Sequence, residues 1–243
     1  MKSFDPPPPL KPQTTTLWYS PSQQLPARDD ADRRMGIAGY EGRTPAYVIW
    51  NLLERYTREG DLVVDPFCGG GTTLDVASDL GREARGFDLQ PQRDDIEQGD
   101  ARKWPMEAES CDFVFMDPPY STHLEYSDDP RCIGKLDAFE AGYFEALERV
   151  FSEIDRCLRD RRYLAVYVGD SFQKKRGFVG IGARLFVHLE KRFRPIDHIT
   201  VVRGNRKLEK PRFHAAAREG NFYLRGYQHL LIFKKEGAPK KKR

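Results

Sequence analysis

The sequence predicts an α/β protein with a mostly parallel sheet of seven strands and helices on both faces of that sheet. Between residues 44 and 233, short apolar stretches alternate with longer ones whose apolar residues recur at helical spacing. This alternation is typical of parallel sheets. Acidic residues and glycines follow several of the predicted strands, and such sheets bind ligands beyond the carboxyl ends of their strands.

The first predicted helix has strong boundary signals. Thr44 suits the N-cap, Pro45 suits the first helical position, apolar residues recur through Tyr56, and Gly60 ends the helix. Further helices are predicted at 72–80, 139–158 and 181–191. Strands are predicted at 62–64, 84–87, around 96, 112–116, 163–168, 199–202 and 228–233. The last two strands are expected to form an antiparallel pair at one edge of the sheet.

The 243 residues suit one domain with short appendages. Residues 1–13 include five prolines and little that could pack, which predicts a disordered leader. Residues 14–235 are expected to form the domain, and 236–243 a basic tail. The sequence has no run of about 18 consecutive apolar residues, so no membrane span is predicted. No apolar signal region follows the N-terminus. We therefore expect a cytoplasmic protein without membrane contacts.

The four cysteines are scattered, and none forms a CxxC pair. We expect reduced and mostly buried thiols rather than disulfides or metal ligands. The five histidines are scattered as well. No metal site is therefore expected.

Charge is distributed unevenly along the chain. Residues 161–243 carry 22 Lys and Arg against 6 Asp and Glu, whereas the preceding residues carry 18 against 31. Such asymmetry favours a polyanionic partner for the C-terminal third, although solvated basic faces would give the same count. Nucleic acid is the expected partner.

The first chemical signal is the segment DPFCGGGTTL at 65–74, between a predicted strand and a predicted helix. Glycines at such a turn let the backbone approach a ligand closely. An ordinary turn or a dinucleotide site with Asp88 on a ribose are both possible interpretations. However, Leu74 stands where the dinucleotide pattern has glycine or alanine, and Asp65 would repel a pyrophosphate. S-adenosylmethionine, which has a cationic amino-acid end and no phosphate, fits better.

The second signal is the tetrapeptide DPPY at 117–120, directly after a buried strand. The prolines fix the backbone and supply no N–H group. A carboxylate and a backbone carbonyl could accept both N–H bonds of an exocyclic amine and aim its lone pair at a methyl group. An aromatic ring after the prolines offers a stacking face for an extruded base. A plain proline turn explains neither the acid nor the aromatic residue.

Together, these two motifs resemble those of the superfamily of DNA N6-adenine and N4-cytosine amino-methyltransferases. The resemblance implies a Rossmann-like S-adenosylmethionine-dependent methyltransferase fold and direct methyl transfer to an amino nitrogen. It also implies that Asp88 binds the ribose hydroxyls of the cofactor and that Asp100 binds its adenine amino group. The implied cofactor residues are Thr44, Pro45, Asp65, Pro66, Phe67, Gly69, Gly70, Gly71, Thr72, Thr73, Asp88 and Asp100. The implied catalytic residues are Asp117, Pro118, Pro119 and Tyr120.

Two segments remain for contact with a substrate. The first directly follows the tetrapeptide, and its candidates are His123, Tyr126 and Lys135. The second, at about 203–226, interleaves basic and aromatic residues, which suits phosphate contacts and base stacking. Its candidates are Arg203, Arg206, Lys207, Lys210, Arg212 and Phe222.

The sequence departs from the family pattern in motif order, because the glycine motif resembles relatives in which the tetrapeptide comes first. It also has no large segment for target recognition. DNA is the favoured substrate, and structured RNA such as ribosomal RNA is the alternative. A methyltransferase of proteins or small molecules is less favoured, because those acting on glutamine usually have asparagine in place of Asp117. A non-enzymatic nucleic-acid-binding module is the remaining alternative. Neither the methylated base nor the oligomeric state follows from the sequence.

Overall fold

A computed structural model describes residues 11–20, 35–40, 42–203, 208 and 210–237, except for the side chains of His123 and Arg203. This part of the chain contains ten strands and five α-helices. The helices are α1 (Ala46–Tyr56), α2 (Thr72–Asp79), α3 (Ala141–Cys157), α4 (Ile181–Leu189) and α5 (Pro211–Glu219). The strands are β1 (Leu17–Ser20), β2 (Leu62–Asp65), β3 (Glu83–Asp88), β4 (Glu97–Gln98), β5 (Cys111–Met116), β6 (Leu158–Val168), β7 (Ser171–Gln173), β8 (Gly177–Val179), β9 (Arg194–Arg203) and β10 (Gln228–Lys234).

Within the described residues, eight strands form one sheet in the order β1-β9-β10-β6-β5-β2-β3-β4. β10 is antiparallel to β9 and β6, and the other pairings in this sheet are parallel. The predicted α/β class, the mostly parallel sheet and the antiparallel last pair are therefore confirmed. The predicted count of seven strands is wrong, because β1 adds an eighth strand beside β9 and takes the edge position.

β1 forms because its side chains alternate between the protein interior and solvent. Trp18 and Ser20 are buried, whereas Leu17 and Tyr19 are exposed. The Trp18 indole donates a hydrogen bond to the Thr15 carbonyl at 2.7 Å, so its polar group is also satisfied. The strand therefore buries one large aromatic ring against the sheet.

The predicted leader overlaps the described residues only at 11–13. Here the Gln13 N–H donates to Asn51 Oδ1 at 2.7 Å, and the Tyr47 hydroxyl donates to the Lys11 carbonyl at 2.7 Å. These bonds attach residues 11–13 to α1. Residues 1–10 of the predicted leader and residues 238–243 of the predicted tail lie outside the described residues.

The core has two halves, one on each face of the sheet. Successive side chains of β5 point to opposite faces. Val114 and Met116 pack in the half that is covered by α3 and α4, and Phe113 and Phe115 pack in the half that is covered by α1. The predicted helices on both faces are therefore confirmed.

The first helix starts and ends differently from the prediction. Pro45 has extended backbone angles (φ −61°, ψ 128°) and α1 begins at Ala46, so Pro45 precedes the helix instead of opening it. Thr44 does not cap the helix, because Pro45 occupies the N-cap position and no side chain makes a cap bond; the Thr44 hydroxyl donates to Asp117. The helix ends when Thr57 turns to extended angles and its N–H donates to the Leu53 carbonyl at 3.1 Å, before Gly60 is reached.

Two local elements are absent from the sequence prediction. β7 and β8 form a separate antiparallel hairpin directly after β6. α5 begins with Pro211 in its first turn and lies in the segment at about 203–226 that the sequence assigns to contact with a substrate. All four cysteines are buried and unbridged. No helix within the described ranges is long and apolar enough to cross a membrane.

The alternation of β1 gives a test of the eighth strand. We expect Trp18→Ala to lower the free energy of unfolding by about 3–5 kcal/mol, because it removes a buried aromatic ring. Tyr19→Ala is the matched control on the exposed face and should change it by less than about 0.5 kcal/mol. Urea unfolding measures both. Equal effects of the two substitutions would contradict this position of β1.

Candidate active site

The two sequence motifs meet at the carboxyl edge of the sheet. β2 and β5 pair in parallel, with Val63 opposite Phe113 and Val64 opposite Val114. The chain therefore leaves both strands at the same edge, at Asp65 and just before Asp117. A cavity of about 900 Å³, part of it open to solvent, lies between these two segments.

Most of the predicted cofactor residues line this cavity together with part of the tetrapeptide. The predicted residues in its wall are Thr44, Asp65, Pro66, Phe67, Gly69, Gly70, Thr72, Thr73, Asp88, Asp100, Asp117, Pro119 and Tyr126. The predicted residues outside its wall are Pro45, Gly71, Pro118, Tyr120, Lys135, Lys210, Arg212 and Phe222. Sequence analysis missed several wall residues, among them Tyr40, Arg43, Ser127 and Arg131.

The glycine-rich loop is held by backbone bonds and by an acidic residue from the next strand. Gly71 caps α2 with a left-handed backbone (φ 76°), a conformation that glycine adopts readily. The N–H of Gly69 donates to Asp88 Oδ2 at 2.9 Å. Asp88 Oδ1 accepts from the Gln90 N–H at 2.9 Å. Asp88 therefore fixes the loop as well as lining the cavity.

Asp65 is the most deeply buried acid of the site. Its carboxylate accepts the Thr73 hydroxyl at 2.5 Å and the Phe67 N–H at 3.0 Å. Burial, with smaller contributions from the nearby Asp117 and Asp88, raises the pKa of Asp65 to about 7, although both hydrogen bonds oppose the shift. A cation placed in the cavity would favour the ionised carboxylate.

Asp100 lies on the opposite wall and keeps its charge through an arginine. Arg102 donates to both oxygens of Asp100, at 2.9 and 2.7 Å. Burial acts against the charge of Asp100, but the bonds from Arg102 outweigh it and hold its pKa below the usual range. Asp100 thus presents a negative charge to the cavity at neutral pH.

Asp117 is held by hydroxyl groups from two separate segments. The Thr44 hydroxyl donates to Oδ2, and the Tyr120 hydroxyl donates to Oδ1 at 2.5 Å. Burial, and then the charge of Asp117, raise the pKa of Tyr120 well above its usual range, so this hydroxyl keeps its proton. Both carboxylate oxygens therefore have fixed donors.

The prolines of the tetrapeptide are fixed by a tyrosine from α3. The buried Tyr143 hydroxyl donates to the Pro119 carbonyl at 2.7 Å. The Ser121 N–H donates to the same carbonyl at 3.1 Å. Within the described ranges, the Pro118 carbonyl receives no hydrogen bond. The backbone acceptor expected to orient an amine is therefore unpaired among the described residues, but Pro118 is buried and lies outside the cavity wall.

Tyr40 is the main wall residue that sequence analysis missed. A Cβ atom on Gly69 would lie 2.9 Å from its ring, and one on Gly70 would lie 3.2 Å from it, so both glycines leave room for this ring. Burial, and then the neighbouring acids with Asp88 foremost, raise the pKa of Tyr40 to about 12. The ring closes the cavity over the glycine-rich loop. No local pattern in the sequence marks this residue.

The predicted substrate residues are dispersed. Tyr126 lines the cavity, and Lys135 donates to the Asp128 carbonyl at 2.6 Å outside it. Phe222 stacks on Phe172, and the Arg212 guanidinium lies over the Phe213 ring. Lys210 is exposed. Arg206, Lys207 and the side chains of His123 and Arg203 lie outside the described residues.

The described side chains include no group of three or more histidine, cysteine or acidic residues that could hold a metal ion. The chemistry that these residues can perform is that of hydrogen bonding. Asp117 and the Pro118 carbonyl can accept N–H bonds, and Asp65, Asp88 and Asp100 can accept bonds from a cationic or hydroxyl-bearing ligand.

Comparison with known proteins finds matches to DNA methylases over part of this chain. Residues 6–98, which include the glycine motif, match the N6/N4 methyltransferase family, described as DNA methylase. The type II methyltransferase M.MjaII of Methanocaldococcus jannaschii is 36% identical over 56 residues, which are 23% of this chain and 11% of that protein. The type II methyltransferase M2.DpnII of Streptococcus pneumoniae is 42% identical over 48 residues, which are 20% of this chain and 18% of that protein.

The predicted resemblance to the DNA amino-methyltransferase superfamily is confirmed. The fold agrees with it. A SAM-dependent methyltransferase structure from Methanosarcina mazei superposes with a TM-score of 0.50 and 14% identity, over 77% of this chain and 98% of that one. This likeness shows the methyltransferase fold, and the resemblance to DNA amino-methyltransferases comes from the sequence matches.

The raised pKa of Asp65 gives a test of its burial. Because its folded-state pKa lies above the ordinary value, its stabilising contribution is complete below about pH 4 and is lost as the pH rises through about 7. Wild type should therefore lose stability relative to Asp65→Asn over this range, by up to about 1.4 kcal/mol per pH unit. Urea unfolding of both proteins at several pH values measures this. A difference that does not vary with pH would contradict the shift.

Proposed function

We propose that this chain is an S-adenosylmethionine-dependent N-methyltransferase that methylates the exocyclic amino group of adenine (N6) or cytosine (N4) in DNA. The observation that carries the proposal is the meeting of the two motifs at one cavity. Asp65 with its glycine-rich loop forms one wall, and Asp117 with Pro119 forms another. A methyl donor and an amine acceptor need adjoining sites.

The residues of the cavity fit S-adenosylmethionine. Asp65 is buried and has a raised pKa, so a cationic amino group beside it would be attracted to the ionised form. Thr72 supplies a further polar group, because its buried hydroxyl has no hydrogen-bond partner among the described residues. Asp88 and Asp100 offer carboxylate oxygens to ribose hydroxyls and to an adenine amino group. When bound, the cofactor supplies an electrophilic methyl group.

The tetrapeptide would orient the amine of the substrate. Asp117 and the Pro118 carbonyl accept its two N–H bonds, which aims the nitrogen lone pair into the cavity. To reach Asp117, the amine takes the place of a hydroxyl donor, either Thr44 or Tyr120. No strong base is required, because the nitrogen can release its proton after the new bond has formed. The rate enhancement then comes mainly from positioning.

The aromatic partner of the base is a second part of the proposal. Stacking on Tyr120 stays a prediction, since in this structure its hydroxyl bonds Asp117 and its ring packs against the core. Tyr126 and Tyr40 are the tyrosines in the cavity wall. An extruded base that reaches Asp117 enters beside these rings.

Structured RNA is the second candidate substrate, and the basic C-terminal third favours it as much as it favours DNA. The matched stretches cover 11% and 18% of the lengths of the two curated relatives, so these matches do not establish the substrate of the whole protein. The substrate is therefore part of this proposal. A nucleic-acid substrate agrees with the cytoplasmic location expected from the sequence.

Methyl transfer to both polymers tests the proposal. Radiolabelled S-adenosylmethionine is incubated with unmethylated genomic DNA and, in parallel, with unmodified ribosomal RNA, and the nucleosides are then identified. Label in N6-methyladenine or N4-methylcytosine of DNA is expected. Label in RNA alone would show that the substrate is RNA, with the proposed methyl-transfer chemistry unchanged. Calorimetric binding of the cofactor without any methyl transfer would favour a non-enzymatic binding module.

We expect Asp117→Ala to reduce kcat at least about 100-fold, because the amine loses its charged acceptor. Cofactor binding measured by calorimetry should persist, since Asp65, Asp88 and Asp100 are unchanged. The matched control is Asp128→Ala, which removes an exposed carboxylate outside the cavity wall and should leave kcat unchanged. Near-normal activity of Asp117→Ala would show that the mechanism is wrong.

A further inference from the structure

The β7–β8 hairpin starts beside the catalytic turn. Gly169 and Asp170 connect it to the end of β6. A Cβ atom on Gly169 would lie 3.2 Å from the ring of Tyr120, so the base of the hairpin lies directly against the tetrapeptide. The hairpin is therefore an extension of the site and not a distant surface element.

Asp137 fastens the hairpin to the segment after the tetrapeptide. Its carboxylate accepts the Ser121 hydroxyl at 3.3 Å. From the hairpin, it accepts the Gln173 amide at 3.2 Å and the Arg176 guanidinium at 3.1 Å. Three donors from two segments thus converge on one acid, which fixes the position of the hairpin relative to the catalytic turn.

The hairpin also joins the segment around α5. The Phe172 ring stacks on the Phe222 ring, with centroids 4.6 Å apart. The Arg225 guanidinium lies 5.2 Å from the centroid of the Phe178 ring. The hairpin and residues 210–227 therefore form one surface beside the cavity, which we call the arm.

The arm carries cations that have no carboxylate partner among the described residues. They are Lys174, Lys175, Lys210, Arg212 and Arg218, all of which are exposed. Arginines on the other side of the cavity are neutralised. Arg85 pairs with Glu97 at 2.7 Å, and Arg93 pairs with Asp75 at 2.9 Å. The arm is thus left with uncompensated positive charge, which attracts a polyanion.

Exposed aromatic rings lie among these cations. Tyr223 is 87% exposed and Phe178 is 56% exposed. Tyr227, at 46%, adds a third ring. Aromatic rings interleaved with unpaired cations provide base or sugar stacking together with phosphate contacts. An interface for a neutral protein surface would need no such excess of cations.

We propose that the arm binds duplex DNA next to the target base, with Lys174 and Lys175 at the hairpin tip on backbone phosphates. This inference rests on the proposed function and extends it, because it assigns the hairpin, which neither motif includes. Arg212 and Arg218 contact phosphates from the α5 side. Tyr223 packs against the sugars or bases that flank the extruded nucleotide. The arm thus provides a DNA-recognition surface directly beside the cavity.

The test compares two double variants of equal charge change. Lys174→Glu with Lys175→Glu removes the hairpin cations. Arg58→Glu with Lys191→Glu is the control, because both of these exposed residues lie before the amino ends of strands and make no side-chain ion pair within the described ranges. Binding of an unmethylated DNA duplex is measured at several salt concentrations, and cofactor binding is measured by calorimetry.

The hairpin variant should bind DNA at least about tenfold more weakly than wild type at low salt, and its salt slope should fall by about 1.8, as expected for two lost phosphate contacts. Its cofactor binding should stay at the wild-type level. The control variant should change affinity much less. Equal losses in both variants, or no loss in the hairpin variant, would overturn the inference.

Failure of the proposed function remains distinguishable from failure of this inference. If wild-type protein binds duplex DNA through the hairpin but transfers no methyl group to it, the proposed activity is wrong and the arm is still a DNA-binding surface. If wild-type protein methylates DNA and the hairpin variant binds DNA normally, the inference about the arm is wrong and the proposed activity stands. Absence of any binding to duplex DNA would overturn the arm as a DNA-binding surface.

Discussion

The parallel pairing of β2 with β5 is the constraint on which the site depends. Two hydrogen-bonded strands at the centre of the sheet deliver Asp65 and Asp117 to the same edge, close enough for Asp117 to contribute to the raised pKa of Asp65. The residue pattern of β5 makes this pairing stable, because its side chains fill the core on both faces. Without the pairing of these two strands, the glycine-rich motif and the tetrapeptide would not line the same cavity.

Most of the fold could be predicted from the sequence, because the helices and the central strands carry strong apolar periodicity. β1 could not, since four residues beside a proline-rich segment give no period and the strand exists only through the pocket that receives Trp18. The β7–β8 hairpin and α5 could not be predicted for a related reason. Their residues are largely polar or exposed, so their stability comes from contacts such as the stacking of Phe172 on Phe222.

The location of the cavity was predicted better than its internal contacts. Glycine and acidic motifs are local patterns, and many of their residues line the cavity. The bond from Thr44 to Asp117 joins residues 73 positions apart, and no local pattern encodes it. A threonine before a proline has the signature of a helix cap, yet the helix begins after Pro45 and the Thr44 hydroxyl donates to Asp117. Tyr40 escaped in the same way.

The two hydroxyl donors of Asp117 have a consequence for the choice among bases. An amino group that displaces the hydroxyl of Thr44 or Tyr120 brings N–H donors of its own. Each carboxylate oxygen of Asp117 therefore keeps a hydrogen-bond donor. The keto oxygen that thymine carries at the corresponding ring position brings none. It could accept a bond from the displaced hydroxyl but could not donate to the carboxylate, so one carboxylate oxygen would lose its hydrogen-bond donor, at a cost of about 1–3 kcal/mol. Under the proposed function, this exchange of hydrogen-bond donors would disfavour keto bases at the step of entry, before any reaction begins.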